Sequence, residues 1–234
     1  MRKELARRRY WARSMIGFGK VGQAMPNFAH TALASLEKYG RVDHLITQNV
    51  DRLHQKAGHQ RVLELHGTIH EVECMSCGHS LSRDRMQGLL LQNNADWQQR
   101  YLSLSQPRPD GDAELPAEAY TEFNVPACEC CGSRLLKPRV VFHGGALPPA
   151  TSAAAWGLAG ACDGLLVVGS TVSTFSAFRL VREAARRHGR VGVVSYGPTR
   201  ADPLAAFKIE ASAGGVLAAL ARQMRVPGFG PPEA

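Results

Sequence analysis

Two copies of one short knuckle, Cys74-Met-Ser-Cys77-Gly78 and Cys128-Glu-Cys-Cys131-Gly132, stand with fifty residues between Cys77 and Cys128. A Cys-x-x-Cys turn presents two sulfurs from one tight bend, and zinc favours four thiolates in a tetrahedron. Glycine after the second cysteine lets each turn relax and frees backbone N–H groups for the sulfurs. One knuckle alone reads equally as a redox pair or a coincidence; two matched copies favour a metal. Cys130 competes with Cys131 for the fourth position. The glycine after Cys131, mirroring Gly78, decides for Cys131. Cys74, Cys77, Cys128 and Cys131 leave no open coordination site, so the predicted zinc is single and structural. Cys162 stands alone before an apolar run and reads as a small core residue.

Outside this segment, short runs rich in Val, Leu and Ile recur: VDHLIT (42–47), RVLEL (61–65), RVVF (139–142), DGLLVVGS (163–170) and RVGVVS (190–195). Each has the pattern of a strand buried on both faces in a parallel sheet. Helical stretches lie between them. PNFAHTALASLEKYG stops on Gly40, a second covers about 149–160, and STFSAFRLVREAARRHG ends on Gly189 after a basic last turn that suits the helix dipole. The alternation predicts an α/β fold, a Rossmann-like doubly wound parallel sheet. It fails between residues 71 and 137, where a polar stretch contains a predicted loop at 105–116. The expected organisation is therefore a Rossmann-like domain of residues 1–70 and 138–234, with a small zinc domain, 71–137, inserted.

Composition narrows the class of partner. The chain is 44% hydrophobic yet has no uninterrupted apolar run near 18 residues, so no ordinary membrane-spanning helix is expected. The net charge of +8 comes from 22 Arg and 6 Lys, much of it in MRKELARRRYWAR. The remainder is scattered and not interleaved with aromatics, so nucleic acid is not the expected partner. Glu4, Leu5, Tyr10 and Trp11 make the basic start unlike a transit peptide and more like a helix of the folded body. With no apolar signal segment, the expected compartment is the cytoplasm, where cysteines stay reduced. Oligomeric state is not legible.

Polar residues gather where the predicted strands end. Gln48, Asn49 and Asp51 follow VDHLIT, on the edge where open α/β sheets bind ligands. They could hydrogen-bond a carboxamide or ribose, or cap the next helix. His66 follows RVLEL on the same edge; an imidazole titrates near neutrality and suits a general base, although strand-end histidines are commonly structural. Gly169, Ser170 and Thr171 open a helix after a third strand, a place suited to phosphate or ribose oxygens or to ordinary capping.

TQNVDRLHQKAG, LELHGT, two CxxCG knuckles, LKPRVVFHG, VVGSTVS and GPTRAD, in that order, closely resemble the sirtuins. RYWAR and VSYGPTRAD look most like their class II, the mitochondrial and bacterial branch. The likeness runs from about residue 8 to 222. The resemblance implies an NAD-dependent protein-lysine deacylase (deacetylase) acting on acyl-lysine proteins and yielding nicotinamide and O-acyl-ADP-ribose. It implies that His66 is the general base drawing a proton from the nicotinamide ribose. Gln48, Asn49, Asp51, Gly169, Ser170, Thr171 and Ser195 would line the cofactor site. Val141, Phe142 and His143 would form a strand that pairs with substrate peptide. Ser195 stands where sirtuins usually carry an asparagine, which predicts a weaker ribose contact. Arg139 and His143-Gly144-Gly145 replace an acid and an aromatic of the usual pattern, leaving acyl preference open.

Nothing matches the glycine-rich GAG loop and GIPDFR-like segment with which sirtuins begin. Their first strand lies mid-sheet, so residues 1–234 alone are expected to leave two strand edges unpaired. Unsatisfied buried backbone costs roughly 1–3 kcal/mol per group, against domain stabilities of about 5–15 kcal/mol. Poor folding and little turnover are expected of these residues alone, from either a start codon assigned late or a decayed gene. Two further readings stay open: ADP-ribose transfer to protein at the same site, and a non-enzymatic zinc-bearing binding module.

Overall fold

The computed structural model describes residues 1, 3–104, 106–107 and 113–229. In chain order these form helices α1 (Glu4–Gly22) and α2 (Phe28–Lys38), strand β1 (Leu45–Thr47), helix α3 (Leu53–Lys56) and strand β2 (Val62–Glu64). Strands β3 (Gly67–Cys74) and β4 (Ser80–Ser82) follow, then helices α4 (Arg83–Asn93) and α5 (Ala95–Tyr101). Next come the short strands β5 (Gln106–Pro107) and β6 (Ala113–Glu114), helix α6 (Ala117–Glu122) and strand β7 (Leu136–Val140). The remainder is α7 (Pro149–Ala161), β8 (Leu165–Val168), α8 (Phe175–His188), β9 (Val191–Val194), β10 (Phe207–Ile209) and α9 (Ala213–Gln223). Two compact units result: Met1–Ala24 with Gly67–Val140, and Met25–His66 with Val141–Ala234.

The first unit carries the four knuckle cysteines. Its antiparallel sheet runs β4-β3-β7, and its core joins Trp11 and Met15 to Val72, Met86, Leu90, Trp97, Phe123 and Leu136. Trp11 is fully buried and its indole N–H donates to the Leu136 carbonyl at 3.0 Å. The buried Arg83 lies over the Phe18 ring at 4.0 Å and donates to the Ser14 carbonyl and hydroxyl, each at 3.0 Å. Truncating a core tryptophan costs about 3–5 kcal/mol, so this packing decides where α1 belongs. The arginine-rich start is a helix, as expected. It groups with the cysteine-bearing unit, whereas the sequence reading counted residues 1–70 with the larger domain.

The run RVVF departs from expectation. Its first half belongs to β7, which pairs antiparallel with β3, Lys137 opposite Glu73, rather than entering a parallel sheet. Val141, Phe142 and His143 lie outside any strand. Apolar content had suggested burial on both faces, but Leu136 and Pro138 are buried while Arg139 is exposed, the signature of a one-sided strand. Ion pairs from Lys137 to Glu73 at 2.7 Å and Arg139 to Glu71 at 2.6 Å fasten it from the other face. Gly67, at φ 78°, opens β3 where an added Cβ would sit 2.0 Å from the Arg139 carbonyl oxygen; no side chain fits there. The loop foreseen at 105–116 is partly taken up by β5 and β6, which pair antiparallel; residues 105 and 108–112 lie outside the described residues.

The second unit is α/β with parallel strands. Helix α2 starts with a capping box: the Asn27 side chain accepts from the N–H groups of Ala29 and His30, and His30 Nδ1 accepts from the Asn27 N–H. β1 pairs with β2, and β8, β9 and β10 form a second parallel sheet in the order β10-β9-β8. Among the described residues no strand pairs with both groups, so the expected sheet is present as two pieces. One core unites them: Ile46, Leu63 and Leu65 pack with Val167, Val191 and Val193 against Ala155 and Ala159 of α7 and Leu180 and Val181 of α8. Val168, the next residue of β8, points instead into a cluster built from Ala32 and Leu36 of α2 and Leu217 and Ala221 of α9. Adjacent residues of a strand face opposite sides. β8 is therefore covered by helices on both faces, the doubly wound arrangement. Helix α8 ends as predicted on Gly189, left-handed at φ 64°, after Arg186, Arg187 and His188. Among the described residues no helix is long and apolar enough to cross a membrane.

Candidate active site

Parallel strands deliver the predicted polar residues to one kind of place, their carboxyl ends. Gln48 and Asn49 follow β1, His66 follows β2 by two residues, Gly169 and Ser170 follow β8, and Ser195 follows β9. The structure brings several of them together. The Gln48 carboxamide donates to Ser170 Oγ at 2.8 Å. The His66 ring is held at both nitrogens, Nδ1 3.2 Å from the Gln48 carbonyl and Nε2 3.1 Å from Ser176 Oγ. A carbonyl only accepts, so Nδ1 carries a hydrogen and Nε2 is the nitrogen left for acid–base work.

The two loops that supply these groups contain strained backbone. Arg52 has φ 56° and Val172 has φ 44°, values that β-branched valine in particular rarely adopts. Local bonds hold both turns: Leu53 N–H donates to Asp51 Oδ1 at 3.0 Å, and Val172 N–H donates to Ser170 Oγ at 3.0 Å. Asp51 thus bonds the first N–H of α3 from the position before its N-cap, Arg52. Asn49 and Thr171 are exposed, Ser195 is buried, and its N–H donates to the Ile209 carbonyl at 3.2 Å. Val141 N–H donates to the His66 carbonyl at 2.9 Å, which ties the chain carrying Phe142 and His143 to the end of β2. Thr174 and Ser176, which complete the hydroxyl cluster, were not singled out from sequence. Only the run STVSTFS, dense in hydroxyls after a strand end, signals them.

The donor set suits a dinucleotide. Carboxamides at 48 and 49 and hydroxyls at 170, 171 and 195 match amide and ribose groups, at the edge where such sheets bind them. A Cβ added at Gly169 would meet nothing within 4 Å, so the space above that turn is open.

A second titratable group gathers between α2 and α3. The His30 and His54 ring centroids are 4.6 Å apart, His54 and His59 5.7 Å, and His59 Nδ1 lies 3.0 Å from Glu37 Oε2. Burial would raise Glu37, but the N–H groups of Gln60 and Arg61, each at 2.7 Å, outweigh it and hold the carboxyl below its usual range. Burial first, then the neighbouring His30 and His59, lowers His54 to about 4, with Asp51 opposing. An unfolded histidine binds a proton near pH 6.5. Between that pH and about 4 the unfolded state takes up the proton and the folded state refuses it, so stability is lost as pH falls through this window. Unfolding free energies from denaturant titrations at pH 7.5 and 5.0 are expected to differ by about 1–2 kcal/mol, after allowance for partial exposure of the ring. His54→Gln is expected to flatten that difference; an equal slope in both proteins would refute the account.

In the other unit the four cysteines meet. Cys74, Cys77, Cys128 and Cys131 place their sulfurs all within 4.8 Å of one another, with Cys74–Cys131 at 3.6 Å and Cys77–Cys128 at 3.8 Å. A tetrahedron of thiolates about 2.3 Å from zinc has sulfurs about 3.8 Å apart, whereas a disulfide needs about 2.05 Å. The set fits one zinc ion. The knuckles repeat in backbone detail: Gly78 N–H donates to Cys74 O and Gly132 N–H to Cys128 O, both at 2.9 Å. Burial alone would raise the Cys74 thiol, but N–H groups of Cys77 and Ser76 draw it down to about 6. Cys130 is exposed and outside the cluster, as the glycine argument predicted.

Fold and site together define a doubly wound α/β protein with a strand-end histidine and a four-thiolate module. The sequence model of the Sir2 family matches residues 2–176, and the chain belongs to that family. It is 48% identical over 211 residues to NAD-dependent protein deacetylase 2 of Bradyrhizobium diazoefficiens, covering 90% of this chain and 76% of that protein. NAD-dependent protein deacylase SRT2 of Arabidopsis thaliana is 43% identical over 229 residues, covering 92% of this chain and 61% of that protein. Among solved structures, one described as Sir2 bound to acetylated peptide aligns with TM-score 0.71 and 28% identity over 88% of this chain and 74% of that one. Another, Sir2 with a p53 peptide and NAD+, aligns with TM-score 0.70 at the same identity, over 88% and 73%.

Proposed function

We propose that this chain is an NAD-dependent protein-lysine deacylase in which His66 is the general base. One observation carries the reading: the His66 ring is oriented from Nδ1 by the Gln48 carbonyl, so that Nε2 stands ready to take a proton from a ribose hydroxyl. NAD, when bound, supplies the ribose carbon that accepts the acyl oxygen and nicotinamide as the leaving group. Gln48, Asn49 and Asp51 hold the nicotinamide and ribose end. Gly169, Ser170, Thr171 and Ser195 hold the cofactor further along. The hydrogen bond from Val141 to His66 supports seating an extended acyl-lysine peptide along Val141, Phe142 and His143. Zinc on Cys74, Cys77, Cys128 and Cys131 is structural, because four thiolates fill its coordination. The Rossmann-like role falls to the unit holding His66 and the zinc role to the other. A four-thiolate zinc set, which needs its cysteines reduced, supports a cytoplasmic setting.

Acyl-lysine peptides incubated with NAD and followed by mass spectrometry test the reading. The protein is produced both as residues 1–234 and from its gene with the upstream DNA retained. Loss of the acyl group together with O-acyl-ADP-ribose is the expected result. A protein mass gain of one ADP-ribose, or no consumption of NAD by either form, would overturn it.

A further inference from the structure

The His66 base does not stand alone. Ser176 Oγ, 3.1 Å from Nε2, is also 3.3 Å from Thr174 Oγ1, and Thr174 Oγ1 is 3.4 Å from Gln48 Oε1. The far end is fixed, since the Gln48 amide N–H₂ donates to Ser170 Oγ and so turns Oε1 towards Thr174. The chain closes on itself, because the Gln48 carbonyl is also the acceptor for Nδ1. We propose that Ser176, backed by Thr174 and the Gln48 carboxamide, is a positioning residue for His66: a hydroxyl relay that satisfies the ring in both of its protonation states. The inference deepens the deacylase reading and rests on it for its catalytic consequence.

Hydrogen counting gives the two states. When the ring is neutral, Nδ1–H donates to the Gln48 carbonyl and the Ser176 hydroxyl donates to the Nε2 lone pair. When a substrate hydroxyl engages Nε2, Ser176 turns its hydrogen to Thr174 Oγ1, and Thr174 donates to Gln48 Oε1. The proton then leaves the substrate oxygen and forms an N–H bond at Nε2. That new N–H finds the Ser176 oxygen already facing it as an acceptor. Every donor is matched before and after, with only two hydroxyl rotations and no displaced side chain. A hydrogen bond to the charged ring is stronger than one to the neutral ring, so the relay favours holding the proton. Thr174 also caps α8 by accepting from Ala177 N–H, which keeps its oxygen from drifting.

The test is nitrogen-15 NMR of the histidine rings without NAD, which reads the relay whether or not the chain deacylates. In the unaltered protein above neutral pH, His66 is expected as the Nδ1–H tautomer, the minor form of free histidine; an Nε2–H tautomer would overturn the proposal. In Ser176→Ala the ring titration midpoint is expected to fall by about half to one pH unit, because the charged form loses its acceptor. Ser176→Thr is expected to restore it. In the acyl-peptide assay the acid limb of the rate profile should move with the same sign, with KM for NAD unchanged. An unmoved midpoint, or no rescue by threonine, sinks the relay even with turnover intact. A moved midpoint without O-acyl-ADP-ribose supports the relay and sinks the deacylase reading instead.

Discussion

His66→Ala is expected to lower the rate of O-acyl-ADP-ribose formation by about 10²–10⁴-fold, the range a positioned general base contributes. The fold should survive the change. The His66 ring is only half-buried, and Ser176 Oγ keeps Thr174 as a partner when the ring is gone. Binding of NAD should therefore be nearly preserved while turnover collapses, a split that calorimetry and the peptide assay read separately. His66→Gln is an informative companion, because glutamine keeps hydrogen-bonding capacity but cannot take up a proton near neutral pH. If the glutamine variant retained most of the rate, His66 would be a structural histidine at a strand end and the assignment would fail.

The second large effect concerns the metal. The unaltered protein is expected to hold one zinc ion per chain, and Cys128→Ser to hold none and lose the packing of its unit. Structural zinc in small modules contributes an apparent binding free energy of about 10–16 kcal/mol near neutral pH, comparable to the stability of a whole domain. Trp11 and Trp97 lie in the core of this unit, at 0% and 5% exposure, so their fluorescence should shift to the red when the ion leaves. Strong chelators should do the same to the unaltered protein, and Cys130→Ser should do neither. Tight packing of both tryptophans with no metal present would show that hydrophobic burial suffices and that the sulfurs are incidental.

Local signals in the sequence translated well. The knuckles, with their glycines, located the four sulfurs and rejected Cys130. Gly40 and Gly189 marked helix ends, and strand-end polar residues at 48, 66 and 170 do share hydrogen bonds. Signals that depend on long-range partners translated less well. RVVF looked like a buried parallel strand because composition does not reveal which neighbour a strand will find. The neighbour is β3, and Pro138 and Arg139 tune the run to a one-sided antiparallel position. Helix α1 carries no mark of its destination, since its anchor, Leu136, is 125 residues away in sequence from Trp11. Ser176 escaped notice because nothing local distinguishes it from an ordinary residue in the first turn of a helix. The His30, His54 and His59 cluster forms only when α2 and α3 pack, so no window on the chain displays it.

Residues 1–24 share a core with residues 67–140, so the chain leaves its first unit, returns, and leaves again. During synthesis on the ribosome α1 is made more than a hundred residues before Leu136 and has nothing to close on until that residue emerges. Cys74 and Cys77 are likewise exposed to solvent as a two-sulfur claw well before their counterparts exist. Translation speed across that interval, and what shields the nascent helix meanwhile, therefore bear on how much protein reaches its native state. A synonymous-codon change between positions 78 and 127 is a means of probing this without altering a single side chain.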